Sequence, residues 1–165
     1  MDEKQLRAML KETFDTVSGG YDSEALHFFQ ASAEHMAFLL GLQGNENVLD
    51  VACGTGNAAL AIAKFLPTGQ VTAVDFSSGM LDQARRKAAS LDVRNVEFIE
   101  RDMQNLKFSD CLFDVAVCLR NLLCRGYGKP AFAHRVCGQA WRQDQDLQFS
   151  GKLLSSLEGH VLRKN

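Results

Sequence analysis

The residues best suited to chemistry are acidic side chains and glycines at the ends of apolar segments. Asp50 lies inside the apolar segment 48–51, and the turn Gly54-Thr55-Gly56 follows closely. Asp75 ends a second apolar segment, 19 residues past this turn, and Asp102 follows a third. An acid about 20 residues beyond a glycine turn can reach a ribose diol in nucleotide-binding sheets. This pattern predicts a site for an adenosine-containing ligand.

The turn itself is suited to close approach by a ligand. Gly54 and Gly56 carry no β-carbon, and a helical pattern starts at Asn57, so that free N–H groups face the same place. The dinucleotide fingerprint has a third glycine where this chain has Ala59, a position at which alanine is tolerated. Asp50 lies in the strand, and the loop has no basic residue. These two features favour an adenosine-containing cofactor other than a dinucleotide. A nicotinamide-dependent oxidoreductase stays the alternative enzyme class.

The elements that position these residues alternate between strand and helix. Buried strands are predicted at 48–51, 70–75, 96–100 and 113–118, and helices at 31–42, 58–66 and 77–91. Such alternation predicts a doubly wound α/β fold, with a mostly parallel sheet and helices on both faces. Ligands of these sheets bind at the carboxyl ends of the strands, where the winding reverses.

Composition places the chain among ordinary globular proteins. It has 165 residues, 46% hydrophobic and 23% charged, which fits one domain with a real core. Neither a membrane-spanning segment nor a signal peptide is predicted. Five cysteines without a Cys-x-x-Cys pair favour a reduced, cytoplasmic protein and predict neither disulfides nor a metal site.

At this point the sequence resembles the class I S-adenosylmethionine-dependent methyltransferases. The resemblance covers residues 10–118. Within this class, the sequence is most similar to the branch that contains the ubiquinone and menaquinone biosynthesis methyltransferases. Its motifs are the segments VLDVACGTG (48–56), VDFSSGML (74–81), ERDM (100–103) and FDVA (113–116), with the pairs Phe14-Asp15 and Tyr21-Asp22. The motifs are specific to the superfamily but do not indicate one substrate.

The resemblance implies roles for particular residues. Asp50 would order the loop or reach the amino group of the cofactor, and Asp75 would bind both ribose hydroxyls. Asp102 would accept the exocyclic amine of the adenine. The remaining cofactor-binding residues that the resemblance implies are Tyr21, Ala52, Gly54, Gly56, Phe76, Met80 and Met103.

The implied reaction transfers a methyl group to a small-molecule acceptor. Because a sulfonium carries its own leaving group, the displacement depends mainly on positioning. A general base is needed only if the acceptor must lose a proton, and no residue is assigned to that role. The sequence predicts no nucleic-acid partner and indicates neither the acceptor nor the oligomeric state.

The family pattern stops after Cys118, and the charge changes there. Residues 1–118 contain 10 Lys and Arg against 17 Asp and Glu, whereas residues 119–165 contain 8 against 3. Shifted by one base, the codons of the tail allow an apolar strand end, an acidic helix start and a Pro-Gly-Gly turn before a fifth strand. We therefore interpret residues 119–165 as translated out of frame. A divergent natural terminus and a basic nucleic-acid arm are the alternatives.

These observations predict three regions: an amino-terminal helical lid or linker (1–30), a cofactor-binding α/β core (31–118) and an atypical tail (119–165). The predicted function is a cofactor-dependent methyltransferase. The alternative outside the enzyme classes is a truncated fragment that binds the cofactor without catalysis, since a sheet that ends after its fourth strand lacks part of its cover.

Overall fold

The computed structural model describes residues 3–22, 27–103, 106, 108, 112–118 and 132–135. Its helices are α1 (Glu3–Val17), α2 (His27–Leu39), α3 (Asn57–Ala63) and α4 (Ser78–Ser90), with a 3₁₀ turn at Ser18–Gly20. Its strands are β1 (Asn47–Val51), β2 (Gln70–Asp75), β3 (Val96–Glu100), β4 (Val115–Cys118) and β5 (Phe132–Arg135). The predicted doubly wound α/β fold is confirmed.

The five strands form one sheet in the order β3-β2-β1-β4-β5. β1 pairs in parallel with both β2 and β4, and β2 pairs in parallel with β3. The chain thus winds outward from β1 to β3 and then returns to the other side of β1. The winding reverses between β1 and β4, so the crevice for a ligand opens at the carboxyl end of β1.

Alternating side chains divide the core between the two faces of the sheet. Val48 packs on one face with buried residues of α2 and α3, whereas Leu49 and Val51 pack on the other. In the described part of the chain, that second face is covered by Met103, Leu106, Phe108 and Phe113. Because both faces are covered, the central strands β1, β2 and β4 are mostly apolar, as parallel strands usually are, whereas β3 carries exposed Glu97 and Glu100. Asp50 is the exception within β1.

Local signals place α4 accurately. Ser77 is its N-cap, and the serine hydroxyl accepts a hydrogen bond from the backbone N–H of Met80 at 3.1 Å. Met80, Leu81, Ala84 and Ala88 are buried along one side of the helix. A side-chain cap is worth about 1 kcal/mol, which fixes where this helix begins.

The last strand departs from the parallel arrangement. β5 pairs with β4 in antiparallel orientation, with Val115 opposite Arg135 and Cys118 opposite Phe132. It therefore lies along the edge of β4 where the predicted four-stranded sheet would have ended. The rest of the tail, residues 119–131 and 136–165, lies outside the described residues, and so does the interpretation of those residues as out of frame.

No helix in the described ranges is both long and apolar enough to cross a bilayer.

Candidate cofactor site

Asp50 is a buried acid beneath the glycine turn. Its side chain is fully buried, and among the described residues neither carboxyl oxygen accepts a hydrogen bond of ordinary length and angle; the backbone N–H of Ala59 is a weaker donor. Burial raises the pKa of Asp50 to about 8; the Ala59 backbone N–H opposes the shift, and the charge of Asp75 adds to it. A buried acid without partners is costly to keep, so its presence beside a crevice marks a candidate binding group.

The loop after β1 has unusual backbone angles. Ala52 has a φ of 56° and Gly54 a φ of 55°, both in the left-handed region that non-glycine residues rarely adopt. The Gly54 N–H donates to a carboxylate oxygen of Asp75 at 2.8 Å. A β-carbon added at Gly54 would meet no heavy atom of the described residues within 4 Å beyond its own chain neighbours, so space stands open above this residue. A ligand could lie directly against the backbone there.

Gly56 is required for a different reason. Its φ is 80°, and an added β-carbon would lie 3.1 Å from the Ala84 Cβ and 3.2 Å from the Phe98 ring. The absence of a side chain therefore lets the start of α3 pack against α4 and β3. The sequence predicted that both glycines admit a ligand, and the structure adds this packing role at Gly56.

Alanine substitutions should separate the two glycines. Gly54→Ala should lose only about 1 kcal/mol of unfolding free energy, from backbone strain. It also places a methyl group in the open space. Gly56→Ala adds a steric conflict to the same strain and should lose about 2–3 kcal/mol of unfolding free energy. Urea denaturation and titration with S-adenosylhomocysteine measure the two effects. Equal losses of stability in both variants would contradict this assignment.

Asp75 lies at the carboxyl end of β2, beside the open space. One carboxylate oxygen accepts the N–H of Gly54 at 2.8 Å, and the other accepts the N–H of Ser77 at 2.9 Å. The residue is 6% exposed. These two bonds hold the carboxylate in one orientation between the loops that follow β1 and β2. Met80, which the resemblance implies as a cofactor-binding residue, is buried in the core and 1% exposed.

Asp102 follows β3 and faces a basic side chain of α1. Its carboxylate is 3.0 Å from the guanidinium of Arg7, and the Asp102 side chain is 35% exposed. The next residue, Met103, packs against the core on the second face of the sheet. Asp102 and Met103 therefore follow β3 at the carboxyl edge of the sheet, where Arg7 already contacts the acid.

Helix α1 runs along the carboxyl ends of β2 and β3. Lys11 donates to the carbonyl of Phe76 at 2.6 Å and to the carboxylate of Glu100 at 2.8 Å. Asp15 accepts hydrogen bonds from the Ser77 hydroxyl at 2.5 Å and the Gly79 N–H at 2.9 Å. The pKa of Asp15 is lowered: burial opposes this direction, and the bonds from Ser77 and Gly79 and the charge of Lys11 produce it.

An aromatic row continues from α1 to the loop after β2. The ring of Phe14 lies 6.4 Å from that of Tyr21 and 6.0 Å from that of Phe76, edge-on in both cases. Edge-to-face pairs of this kind are favourable. The structure thus brings Tyr21 and Phe76 to the same edge as Asp75.

Four side chains of the amino-terminal segment make contacts that were not expected from the sequence. They bind residues at or beside the candidate site, although they lie far from it along the chain: Arg7, Lys11, Asp15 and Asp22. The repeated pairing of an aromatic residue with Asp, at 14–15 and 21–22, is the one available signal. The sequence prediction used both pairs as motifs of the family resemblance but assigned a cofactor role only to Tyr21.

The site therefore gathers carboxylates and a glycine turn at the point where the winding of the sheet reverses. Comparisons with known proteins agree with this architecture. Residues 48–137, more than half of the chain, match the family described as methyltransferase domain. The chain belongs to the methyltransferase domain family. The match continues past Cys118, where the sequence motifs stop.

A curated relative shows the same kinship. The chain is 33% identical over 129 residues to demethylmenaquinone methyltransferase of Staphylococcus aureus strain JH9, covering 73% of this chain and 53% of that protein. The class I resemblance, including its menaquinone and ubiquinone branch, is confirmed. The chain spans about half the length of the curated relatives it matches.

Two solved structures share the fold. A phosphoethanolamine N-methyltransferase 1 from Haemonchus contortus, solved with phosphoethanolamine and S-adenosylhomocysteine, is 18% identical with a TM-score of 0.57. That likeness covers 72% of this chain and 26% of the other. A SAM dependent methyltransferase from Aquifex aeolicus is 24% identical with a TM-score of 0.52, covering 61% of this chain and 53% of the other.

Proposed function

We propose that this chain binds S-adenosylmethionine at the carboxyl edge of its sheet and belongs to a methyltransferase acting on a small molecule. The observation that carries the proposal is Asp75. Its carboxylate is fixed by two backbone N–H groups directly beside the open space over Gly54. A preorganised acid at the end of the second strand is suited to the two hydroxyls of a ribose.

The residues present fit an adenosyl cofactor that carries a cationic amino acid part. Asp50 supplies a buried carboxyl group that accepts no hydrogen bond of ordinary geometry from the described residues, and an ammonium group could satisfy it. Gly54 supplies backbone that a ligand can touch, and the described loop 52–56 has no cation to repel the sulfonium. A dinucleotide would instead bring a pyrophosphate close to Asp50 and Asp75, which is electrostatically unfavourable.

In this proposal Asp75 binds the ribose hydroxyls, and Asp102 accepts the adenine amine. Tyr21 and Phe76 supply aromatic surface near the bound group, and Met103 a soft apolar wall. Gly54 and Ala52 provide the close backbone, and Gly56 maintains the shape of the turn. Met80 acts from the core, by supporting the loop after β2.

When bound, the sulfonium supplies an activated methyl group together with its leaving group. The chain then contributes orientation, by Asp75 and Asp102 at one end and Asp50 at the other. Positioning of this kind can supply several kcal/mol of a reaction barrier. We assign no general base. The pKa of the Cys53 thiol is raised by burial and by the nearby charges of Asp50 and Asp75, so this residue is unsuited to be a nucleophile.

Calorimetric titration tests the proposal. S-adenosylmethionine and S-adenosylhomocysteine should both bind with one site per chain, and NAD and NADP should not bind. Binding of a nicotinamide cofactor without S-adenosylhomocysteine would overturn the proposal in favour of an oxidoreductase. Binding of S-adenosylhomocysteine without methyl transfer to any quinol or other small acceptor would support a non-catalytic cofactor-binding fragment.

Removal of Arg7 should strengthen adenosine binding. Its guanidinium holds the Asp102 carboxylate at 3.0 Å, and the adenine amine must compete with it for that acid. Because the pair is partly exposed, the gain should be small, about threefold in the dissociation constant for Arg7→Gln. Titration with S-adenosylhomocysteine measures it, and Arg94→Gln, which breaks the exposed pair with Asp92, is the control. Weaker binding by Arg7→Gln would show that Arg7 assists the ligand.

We propose further that residues 1–30 form a lid, residues 31–118 the cofactor-binding core, and residues 119–165 an out-of-frame tail. The contacts of α1 with Phe76, Glu100 and Asp102 support the lid. The change of charge after Cys118 supports the tail assignment. Sequencing the gene through codon 118 is decisive. If the neighbouring frame encodes no Pro-Gly-Gly turn and strand, the tail is the natural terminus.

A cytoplasmic location is part of the same proposal. Cys53 and Cys118 are both buried free thiols, as expected for a reducing compartment. Cell fractionation with an antibody to the chain tests the location. Recovery with the membrane or in the medium would contradict it. The proposed partner is a small methyl acceptor, and no nucleic acid is invoked.

A further inference from the structure

Asp22 connects the amino-terminal segment to the glycine turn. One of its carboxylate oxygens accepts the hydroxyl of Thr55 at 2.8 Å and the side-chain amide of Asn57 at 3.1 Å. The other accepts the ammonium of Lys87, on α4, at 3.0 Å. A residue 33 positions before Thr55 thus supplies an acceptor to the turn itself.

The contacts close into a network around the turn. Lys87 also donates to the side-chain oxygen of Asn57 at 2.6 Å, so the Asn57 amide is held at both ends. Thr55 is 1% exposed, whereas the side chains of Asp22 and Lys87 are 35% and 29% exposed. Water can replace the partners of an exposed ion pair but cannot reach a buried hydroxyl. The Thr55 bond should therefore matter most.

We propose that Asp22 is a positioning residue, which holds the 53–57 turn in the shape that leaves Gly54 open and its N–H on Asp75. The ligand part of this inference rests on the proposed function. Asp22 follows Tyr21 directly, so the same anchor keeps the aromatic ring of Tyr21 close to Phe14, 6.4 Å between centroids. Segment 18–22 is then a component of the cofactor site.

The physical consequence concerns the turn in the protein without ligand. The N–H groups of Gly54 and Gly56 are protected by hydrogen bonds, to the Asp75 carboxylate at 2.8 Å and to the Cys53 carbonyl at 2.9 Å. Asp22→Ala leaves the buried Thr55 hydroxyl without its acceptor and opens the turn more often. Exchange of these two amides should then rise roughly tenfold, because a bond to a charged group is lost.

The experiment compares variants of the full chain by hydrogen exchange and by calorimetry. Asp22→Ala and Thr55→Val remove the bond from either side, whereas Asp22→Asn and Thr55→Ser keep an acceptor and a hydroxyl. Asp82→Ala is the matched control, since it removes an exposed ion pair with Arg85 on the same helix α4. Amides of β3 report whether the fold itself is affected.

The expected result is faster exchange at Gly54 and Gly56 in Asp22→Ala and Thr55→Val, with β3 unchanged and with partial recovery in Asp22→Asn and Thr55→Ser. The affinity for S-adenosylhomocysteine should fall roughly tenfold in the same two variants, and combining them should add little. Unchanged exchange of the turn in Asp22→Ala, or an equal effect in Asp82→Ala, overturns the inference. Failure of the parent chain to bind S-adenosylhomocysteine overturns the proposed function instead, because exchange is read without ligand.

Discussion

Asp75→Asn should lower the affinity for S-adenosylhomocysteine about 100-fold. The substitution replaces one carboxylate oxygen by an amide nitrogen, which then faces the N–H of either Gly54 or Ser77. Bonds to a charged acceptor are worth about 1.5–3 kcal/mol each, and tenfold in affinity corresponds to about 1.4 kcal/mol. Loss of the acceptor also removes a partner of the proposed ribose contact. Calorimetric titration at constant salt gives the dissociation constant directly.

Asp114→Asn is the matched control for this substitution. Asp114 also accepts a backbone N–H, from Asn47 at 2.9 Å, but at the opposite end of the sheet. Its replacement should cost about 1 kcal/mol of unfolding free energy and leave binding unchanged. If both variants weaken binding equally, Asp75 acts through general stability and the ribose assignment is wrong.

Asp50→Asn should change how stability depends on pH. The pKa of Asp50 is raised to about 8 in the folded chain by burial, with the charge of Asp75 adding to it. Between the ordinary pKa of an aspartate and about 8, the folded chain retains a proton that the unfolded chain releases. The stability of the parent chain therefore falls as pH rises through this window and levels off above it.

The size of the effect follows from the proton count. One retained proton gives a slope of about 1.4 kcal/mol per pH unit, which Asp50→Asn removes because the amide does not titrate. Between about pH 5 and pH 8, the unfolding free energy of the variant should increase relative to that of the parent chain. Urea denaturation at several pH values measures this difference. Asp92→Asn, the same substitution at an exposed site, is the control. Parallel pH profiles for Asp50→Asn and the parent would contradict a raised pKa.

Proton release on binding distinguishes the two roles considered for Asp50. If its carboxylate pairs with the amino group of the cofactor, binding at pH 7 should expel up to one proton, since a cation favours the charged acid. Titrations in buffers with different heats of ionisation count that proton, and the Asp50→Asn variant should lose it. If the two proteins release the same number of protons, Asp50 does not pair with the amino group and instead orders the loop.

The fold was predictable because its signals are local. Apolar strands that alternate with helical segments specify a parallel sheet, and Ser77 marks the start of α4 by a cap that forms within three residues. The position of Asp75 and Asp102 at strand ends was predictable for the same reason. Each follows a recognisable strand, and the carboxyl ends of parallel strands meet at one edge. The pairing of β5 with β4 was missed, since backbone groups of an open edge accept a strand of any sequence.

The sequence by itself determined the sheet, the glycine turn and the acids at the strand ends, because each depends on residues close together in the chain. Only the tertiary structure decided how distant segments complete the site. Arg7 meets Asp102 across 95 residues, and Asp22 meets Thr55 across 33. Likewise, Ala84 and Phe98 leave no room for a side chain at Gly56, and burial raises the pKa of Asp50. Contacts, close packing and desolvation arise only once these segments pack together, so no local pattern records them.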